Sequence, residues 1–274
     1  MKTVIAATDY TELAENASDY IAAAIVGQKN YRLVLFNDFS MPIHSMSKAV
    51  SAQDIQDLID ENKVLLEAKA LLLAEQYSIE VIPVTTFSFV ANAIKDLVAQ
   101  YEPELIVMGM EEKTLEQELL GNTTTSVIKK LHVPVLAVPA KIKYNGLKKV
   151  LFSCDAVHGV SQPLLERIKE IALITRAEVE VLLINETIEE LKAKGADPDC
   201  LRRIDEGLEG IDYYYKNIKS DSIIQGISNE IKRLDADLLI MAPQHYGFWG
   251  SMVHRSKTRL MASGLAIPLL SFPI

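Results

Sequence analysis

Three aspartates follow apolar runs, at points where an exposed carboxylate can meet a ligand. Asp9 comes after a run that begins at Val4, and Asp155 comes after one that begins at Val150. Asp38 ends a further apolar run. A carboxylate in such a place can accept hydrogen bonds from ribose hydroxyls, or it can cap the turn or helix that follows. Both interpretations stay open for Asp9, whereas for Asp155 we favour the cap.

Glycines and basic residues farther along the chain could hold an anion. Gly109 ends another apolar run, and Gly121-Asn122-Thr123 opens a predicted helix. Glycine lets the backbone approach a phosphate closely, and free N–H groups at a helix N-terminus attract anions. Arg255 and Ser256 stand at a later helix start and, with Asp155, predict an unconventional anion site. Alternatively, the basic residues there are solvated or pair with the acidic loop of the first half, and we favour these interpretations.

The same series of apolar runs occurs twice, in the same order. The runs end at Asp9, Asp38, Gly109 and Pro139 in the first half, and at Asp155, Glu186, Ala242 and Pro273 in the second. The chain is therefore predicted to be a tandem duplication, with one domain over 1–141, a second over 146–274 and a polar linker between them.

Continuous apolar runs separated by segments of helical period predict an α/β fold. Such runs indicate strands that are covered on both faces, as in a parallel sheet with crossover helices. We predict strands near 2–8, 32–38, 79–86, 104–109, 134–139, 148–154, 179–185, 210–216, 237–242 and 268–272. We predict helices near 11–27, 51–77, 89–101, 122–131, 160–175, 188–205, 221–234 and 256–263.

Three local patterns refine these elements. Pro198 is predicted to interrupt or end the helix near 188–205. Tyr213-Tyr214-Tyr215 falls in a strand, where alternate rings face opposite sides, so sheet packing explains these rings better than base stacking. The helix near 51–77 carries an apolar stripe of helical period. The members of that stripe are Ile55, Leu58, Ile59, Leu65, Leu66, Ala70, Leu73 and Ala74.

Composition excludes several classes of partner. The chain has 28 basic and 37 acidic residues, and its net charge of −9 repels nucleic acid and anionic lipid. No apolar run approaches the about 18 residues of a membrane span, and Asp9 interrupts the first run too early for a signal peptide. Cys154 and Cys200 are the only cysteines, which fits a reducing compartment. We expect a cytoplasmic protein that binds neither nucleic acid nor membrane.

No arrangement of residues predicts catalysis or a metal centre. The 5 histidines form no pair at i, i+4 around a carboxylate, so no metal site is expected. Neither a Gly-x-Ser-x-Gly elbow nor a P-loop occurs. We therefore expect no catalytic residues, and a protein that acts by binding.

Three features resemble the universal stress protein family in its tandem form. They are the repeated βα units, Asp9 after the first strand, and Gly109 followed by the Gly-polar pair Gly121-Asn122. The resemblance covers essentially the whole chain. It implies two Rossmann-like (adenine nucleotide alpha hydrolase-like) domains, each with a five-stranded parallel sheet of order 3-2-1-4-5, paired within the chain through their fifth strands. It also implies that ATP or AMP, where bound, would contact Asp9, Asp38, Gly109, Gly121, Asn122 and Thr123.

The glycine motif that this resemblance implies is damaged. Its second glycine, three residues after Gly109, falls at Glu112. Four glutamates between 111 and 118 surround the phosphate loop with only Lys113 to oppose them, and like charges about 4 Å apart repel by roughly 1 kcal/mol in water. In the second half, Pro243 removes an N–H that would face a phosphate.

These observations leave two hypotheses. One is a nucleotide-free protein with a degenerate site, whose signal passes through its surface to a protein partner. The other is a functional ATP- or AMP-binding protein. No cofactor is certain from the sequence.

Overall fold

The apolar runs form parallel strands in the computed structural model, which describes residues 1–39, 52–86, 90–110, 127, 132–154, 159–184, 198–242 and 267–273. These residues divide into two compact units, the first ending at Tyr144 and the second beginning at Asn145. Each unit is an α/β unit with a parallel sheet, which confirms the predicted fold class.

The first unit has five strands, with three helices among its described residues. Its strands are β1 (Lys2–Ala7), β2 (Tyr31–Asp38), β3 (Val81–Thr86), β4 (Leu105–Met110) and β5 (Val135–Pro139). Its helices are α1 (Glu12–Ala24), α2 (Ala52–Tyr77) and α3 (Val90–Tyr101). The strand order is β3-β2-β1-β4-β5, as the resemblance implies.

Strand β1 lies in the middle of this sheet and carries its core. Ala6 pairs with Leu35 of β2 on one side and with Val107 of β4 on the other. Helices cover the sheet, so consecutive strand residues are buried and a continuous apolar run is required. The fully buried side chains of this core include Ile5, Val34, Ile94 and Ile106.

The second unit repeats the plan. Its strands are β6 (Lys149–Ser153), β7 (Glu178–Ile184), β8 (Tyr213–Ile218), β9 (Leu238–Met241) and β10 (Leu269–Ser271). Its described helices are α4 (Gln162–Thr175), α5 (Pro198–Leu208) and α6 (Ile223–Leu234). The order β8-β7-β6-β9-β10 is again 3-2-1-4-5 when counted within the unit.

Pro198 does not end the predicted helix, because helix α5 begins at this residue and runs to Leu208. Proline suits the first turn of a helix, where its missing N–H would have no intrahelical partner. The earlier part of the predicted helix, over 188–197, lies outside the described residues, as do the predicted helices near 122–131 (apart from residue 127) and 256–263.

The predicted stripe of α2 is only partly buried. Leu66 and Ala70 are buried against the sheet, as expected. Leu58 and Leu65 are exposed, because they lie toward the side of the helix that turns away from β2 and β3. Asn62 takes an inward position and is buried, which places an amide in a face predicted to be apolar.

Candidate functional site

The carboxyl ends of three neighbouring strands carry the described candidate residues. Asp9 follows β1, Asp38 ends β2, and Gly109 lies near the end of β4. Since β2 and β4 flank β1, these residues share one edge of the sheet. Ligands of open α/β sheets bind at this edge.

Asp9 is exposed and organises the turn into α1. Its Oδ1 accepts hydrogen bonds from the Thr11 backbone N–H at 3.1 Å and from the Thr11 hydroxyl at 2.6 Å. Thr11 is the N-cap, and its hydroxyl oxygen accepts from the Ala14 N–H at 3.3 Å. Within the described ranges no group donates to Asp9 Oδ2. One carboxylate oxygen therefore supports the cap, and the other faces solvent.

Tyr10, next to Asp9, adopts an uncommon backbone conformation. Its φ of 62° lies in the left-handed region, which is costly for a residue with a bulky side chain. Such a conformation persists only where surrounding contacts hold it. The contacts here are the hydroxyl of Thr8, which accepts from the Tyr10 N–H at 3.0 Å, and a side-chain bond to α2.

A network of polar side chains joins the ends of β1 and β2 to helix α2. The Tyr10 hydroxyl donates to Asn62 Oδ1 at 2.9 Å, and Asn62 Nδ2 donates to Asn37 Oδ1 at 3.0 Å. Asn37 Nδ2 donates to the Thr8 carbonyl at 2.8 Å. Burial raises the pKa of the Tyr10 phenol, opposed by its bond to Asn62, so the phenol keeps the proton that it donates. Sequence reasoning missed this network.

Asp38 is bound to the neighbouring strand. The Thr86 hydroxyl donates to Asp38 Oδ1 at 2.9 Å, and the two residues are in register between β2 and β3. A cavity of about 330 Å³ lies beside them, which is at the small end of ligand-binding clefts. It is lined by Phe39, Ile59, Lys63, Glu67, Pro83, Thr85 and Thr86. Neither Asp9 nor Gly109 lines this cavity.

Gly109 contacts a helix. It lies inside β4, in register with Val138, rather than after the strand. A Cβ at this position would stand 2.5 Å from Leu13 Cγ and 3.0 Å from the Leu13 carbonyl oxygen. Real Cβ atoms do not approach so closely, so only glycine lets α1 pack against β4 here. Close packing accounts for this glycine without any ligand.

The other candidate residues lie outside the described residues. In the first half these are Gly121, Asn122 and Thr123, and in the second half they are Asp155, Arg255 and Ser256. The structure thus brings Asp9, Asp38 and Gly109 to one edge and places none of the remaining six.

A buried carboxylate lies in the second unit. Glu180 of β7 is fully buried, and its Oε2 accepts a hydrogen bond from Arg233 of α6, which also bonds to Glu230. Burial raises the pKa of the Glu180 carboxyl, and Tyr214 and Arg233 oppose the shift. Because Glu180 is the third residue of β7, it lies toward the amino end of the sheet. This end is opposite to the edge where α/β sheets bind ligands.

The described residues contain no group of three or more histidine, cysteine, aspartate or glutamate side chains that could hold a metal ion. In the same part of the chain, no helix combines the length and the apolar character that a membrane span requires.

Comparison with known proteins places the fold. The model of the universal stress protein family matches residues 1–139. A universal stress protein from Archaeoglobus fulgidus is similar over 99% of this chain and 96% of its own, with a TM-score of 0.72 and 17% identity. A functionally unknown protein from Pseudomonas aeruginosa is similar over 100% of this chain and 92% of its own, with a TM-score of 0.61 and 15% identity. No curated protein matches the sequence.

Proposed function

The chain belongs to the universal stress protein family, and we propose that it acts by binding rather than by catalysis, with a degenerate nucleotide site in its first unit. Its partner is then a protein that recognises its surface. We place this action in the cytoplasm, on the acidic charge and the two cysteines of the sequence.

The contact between Gly109 and Leu13 carries the proposal. In the family motif this glycine makes room for a phosphate, but here helix α1 already fills the space beside it. The second motif glycine is replaced by Glu112 in the sequence. One motif glycine is thus explained by packing, and the other is missing.

The polar groups at the strand ends also support binding without chemistry. Asp9 holds Thr11, and Asp38 accepts from Thr86, so both carboxylates already serve the fold. The Thr11 hydroxyl, which donates to Asp9, also accepts from the Ala14 N–H as the N-cap, so this hydroxyl serves the start of α1.

Calorimetric titration with ATP, ADP and AMP at millimolar concentration tests the proposal. We expect no saturable heat, and no rise in Tm when nucleotide is added, because a ligand stabilises only a protein that binds it. Saturable binding that Asp9→Ala weakens, and that the exposed control Asp57→Ala leaves unchanged, would overturn the degenerate site. Nucleotide turnover abolished by Asp9→Asn would overturn the absence of catalysis.

A second candidate function is ATP or AMP binding in the first unit. The exposed Oδ2 of Asp9 favours it, because this oxygen can accept hydrogen bonds from a ribose. This function predicts saturable binding that is weakened by Asp9→Ala and by bulky substitutions at Gly121. The same titration therefore separates the two candidates.

We also propose that the two units pair with each other within one chain through their fifth strands, as the family resemblance implies. Strands β5 and β10 come last in the order of their own units. Hydrogen exchange tests the pairing, since paired amides exchange slowly. Slow exchange along β5 and β10 at every protein concentration is expected, and fast exchange in either strand would contradict it.

A further inference from the structure

We propose that the outward side of helix α2 is a docking surface for a basic amphipathic helix of another protein. This surface, called the α2 apolar face below, consists of Val64, Leu65, Ala68, Leu71 and Leu72. It is separate from the strand ends of the candidate nucleotide site, so the proposal goes beyond the proposed function and stands without it.

The α2 apolar face is exposed. The exposed fractions are 65% for Val64, 59% for Leu71 and 63% for Leu72, and Leu65 is 45% exposed. Helices at the surface of a protein normally present polar residues to water. A contiguous exposed apolar patch of this kind marks a site of interaction.

The spacing of these residues suits a helical partner. Val64, Ala68 and Leu71 follow at i, i+4 and i+7, and Leu65 and Leu72 lie seven residues apart. At 1.5 Å per residue the face extends for about 12 Å along α2, or just over two turns. A helix that presents leucines at the same spacing can pack its side chains between these.

The opposite side of α2 is already occupied. Leu66 and Ala70 are buried, and Asn62 is bound to Tyr10 and Asn37. Helix α2 therefore has two apolar sides, and burial in the first unit accounts for only one of them.

Acidic residues border the α2 apolar face at both ends. Asp57 and Glu61 precede it on the same side of the helix, and Glu75 follows it. The two lysines of α2 are both in ion pairs, Lys63 with Glu67 at 3.9 Å and Lys69 with Glu15. The fitting partner has an apolar centre with lysines or arginines at both ends.

The same charges disfavour the other occupants. In an antiparallel pair of two identical chains, Asp57 and Glu61 of one would lie opposite Glu75 of the other, and a parallel pair would also bring acidic residues together. An anionic membrane would be repelled by the acidic border. Neither a second copy nor a lipid surface complements the face.

Fluorescence anisotropy with two synthetic peptides tests the proposal on the full chain. Both peptides are about 18 residues long with leucines at helical spacing in the centre; one carries lysines at both ends and the other carries glutamates there. We expect saturable binding of the lysine peptide that weakens as salt is added, and at least about tenfold weaker binding of the glutamate peptide. Equal binding of both peptides, or no binding of the lysine peptide, would overturn the proposal.

Matched variants locate the site. The double variant Leu65→Gln with Leu72→Gln should weaken binding of the lysine peptide at least about tenfold. The control replaces two exposed apolar residues of α4, Leu173→Gln with Ile174→Gln, and should leave this binding unchanged. Glu61→Gln with Glu75→Gln should lower affinity several-fold while leaving the apolar face intact, which guards against a folding defect in the first variant. Equal affinity of all three variants for the lysine peptide would overturn the proposal. Self-association of the chain, or its binding to anionic vesicles, would also overturn it if Leu65→Gln with Leu72→Gln abolished that association.

Discussion

The Tyr10 hydroxyl donates a hydrogen bond to Asn62 Oδ1 at 2.9 Å, across 52 residues of sequence. This bond holds the turn that carries Asp9 against the middle of α2. Because φ of Tyr10 is 62°, the turn is not one that the backbone would favour by itself. The position of the Asp9 carboxylate thus depends on a residue of a different element.

Replacing Tyr10 by phenylalanine should destabilise the first unit. The change removes the only donor to Asn62 Oδ1 in the described residues, and a buried acceptor without a partner costs about 1–3 kcal/mol. Urea unfolding should show this loss in the free energy of unfolding. Tyr101→Phe is the control, since within the described residues its hydroxyl makes no hydrogen bond, and it should change stability by less than about 0.5 kcal/mol. Equal effects of the two variants would contradict the role of the Tyr10–Asn62 bond.

The strands could be predicted from the sequence because a buried parallel strand leaves a local signal. The predicted strands near 2–8 and 104–109 agree with β1 and β4 to within one or two residues. The polar network could not be predicted in the same way. Asn62 is a visible exception within an inward helical stripe, but its partners Tyr10 and Asn37 lie far away in sequence.

Three differences between the predictions and the structure have simple physical causes. Period alone does not say how wide the buried side of a helix is, so Leu65 fits the predicted apolar stripe although its side chain is 45% exposed. Proline breaks a helix interior but suits a helix start, and the sequence around Pro198 does not distinguish the two positions. Gly109 matches the motif by its place in the sequence, whereas its contact with Leu13 depends on the packing of α1 on β4.

Replacing Gly109 by alanine should destabilise the first unit by about 1–3 kcal/mol, the usual cost of forcing an extra carbon into a packed core. The new Cβ would overlap Leu13, so β4 and α1 would have to move apart. Urea unfolding measures the loss. Combining Gly109→Ala with Leu13→Ala removes the Cγ that the new carbon meets and should recover part of the stability. An alanine variant as stable as the wild type would contradict the packing explanation.

Replacing Arg233 by glutamine should leave the buried Glu180 carboxylate without its ion-pair partner. We expect the free energy of unfolding at pH 7 to fall by about 1–3 kcal/mol. This is less than the cost of breaking a fully buried ion pair, because Arg233 is half exposed. Urea unfolding at pH 7 and pH 5 tests the charge. Burial raises the pKa of Glu180 above its ordinary 4.5, so the folded protein binds the proton more tightly than the unfolded chain. The stability contributed by protonation of Glu180 is therefore lost as pH rises. The difference in stability between Arg233→Gln and the wild type should accordingly be smaller at pH 5 than at pH 7.

A second substitution isolates this effect. Adding Glu180→Gln to Arg233→Gln removes the buried charge, so the double variant should recover stability at pH 7 and lose the extra pH dependence. A double variant that is as unstable as Arg233→Gln would show that the arginine acts through packing alone.

Alkaline pH should destabilise the second unit through two tyrosines on one side of β8. The hydroxyls of Tyr213 and Tyr215 donate to the same Asp205 Oδ1, at 2.8 and 2.9 Å. Burial, followed by the bond to Asp205, raises the pKa of Tyr213 to about 12, and the same causes raise that of Tyr215. Since both pKa values are higher in the folded chain, this stabilisation is complete below pH 10 and is lost as pH rises through about 12.

Absorbance titration of tyrosinate, with urea unfolding at pH 8 and pH 11, measures this loss. Asp205→Asn removes the charge but keeps an acceptor oxygen, so both tyrosines should ionise at lower pH than in the wild type. The fall in stability should then begin earlier on the alkaline side. Asp212→Asn is the matched control, because its exposed carboxylate makes no side-chain bond to either ring in the described residues, and its titration should coincide with that of the wild type. Unchanged tyrosine titration in Asp205→Asn would mean that burial alone sets both pKa values.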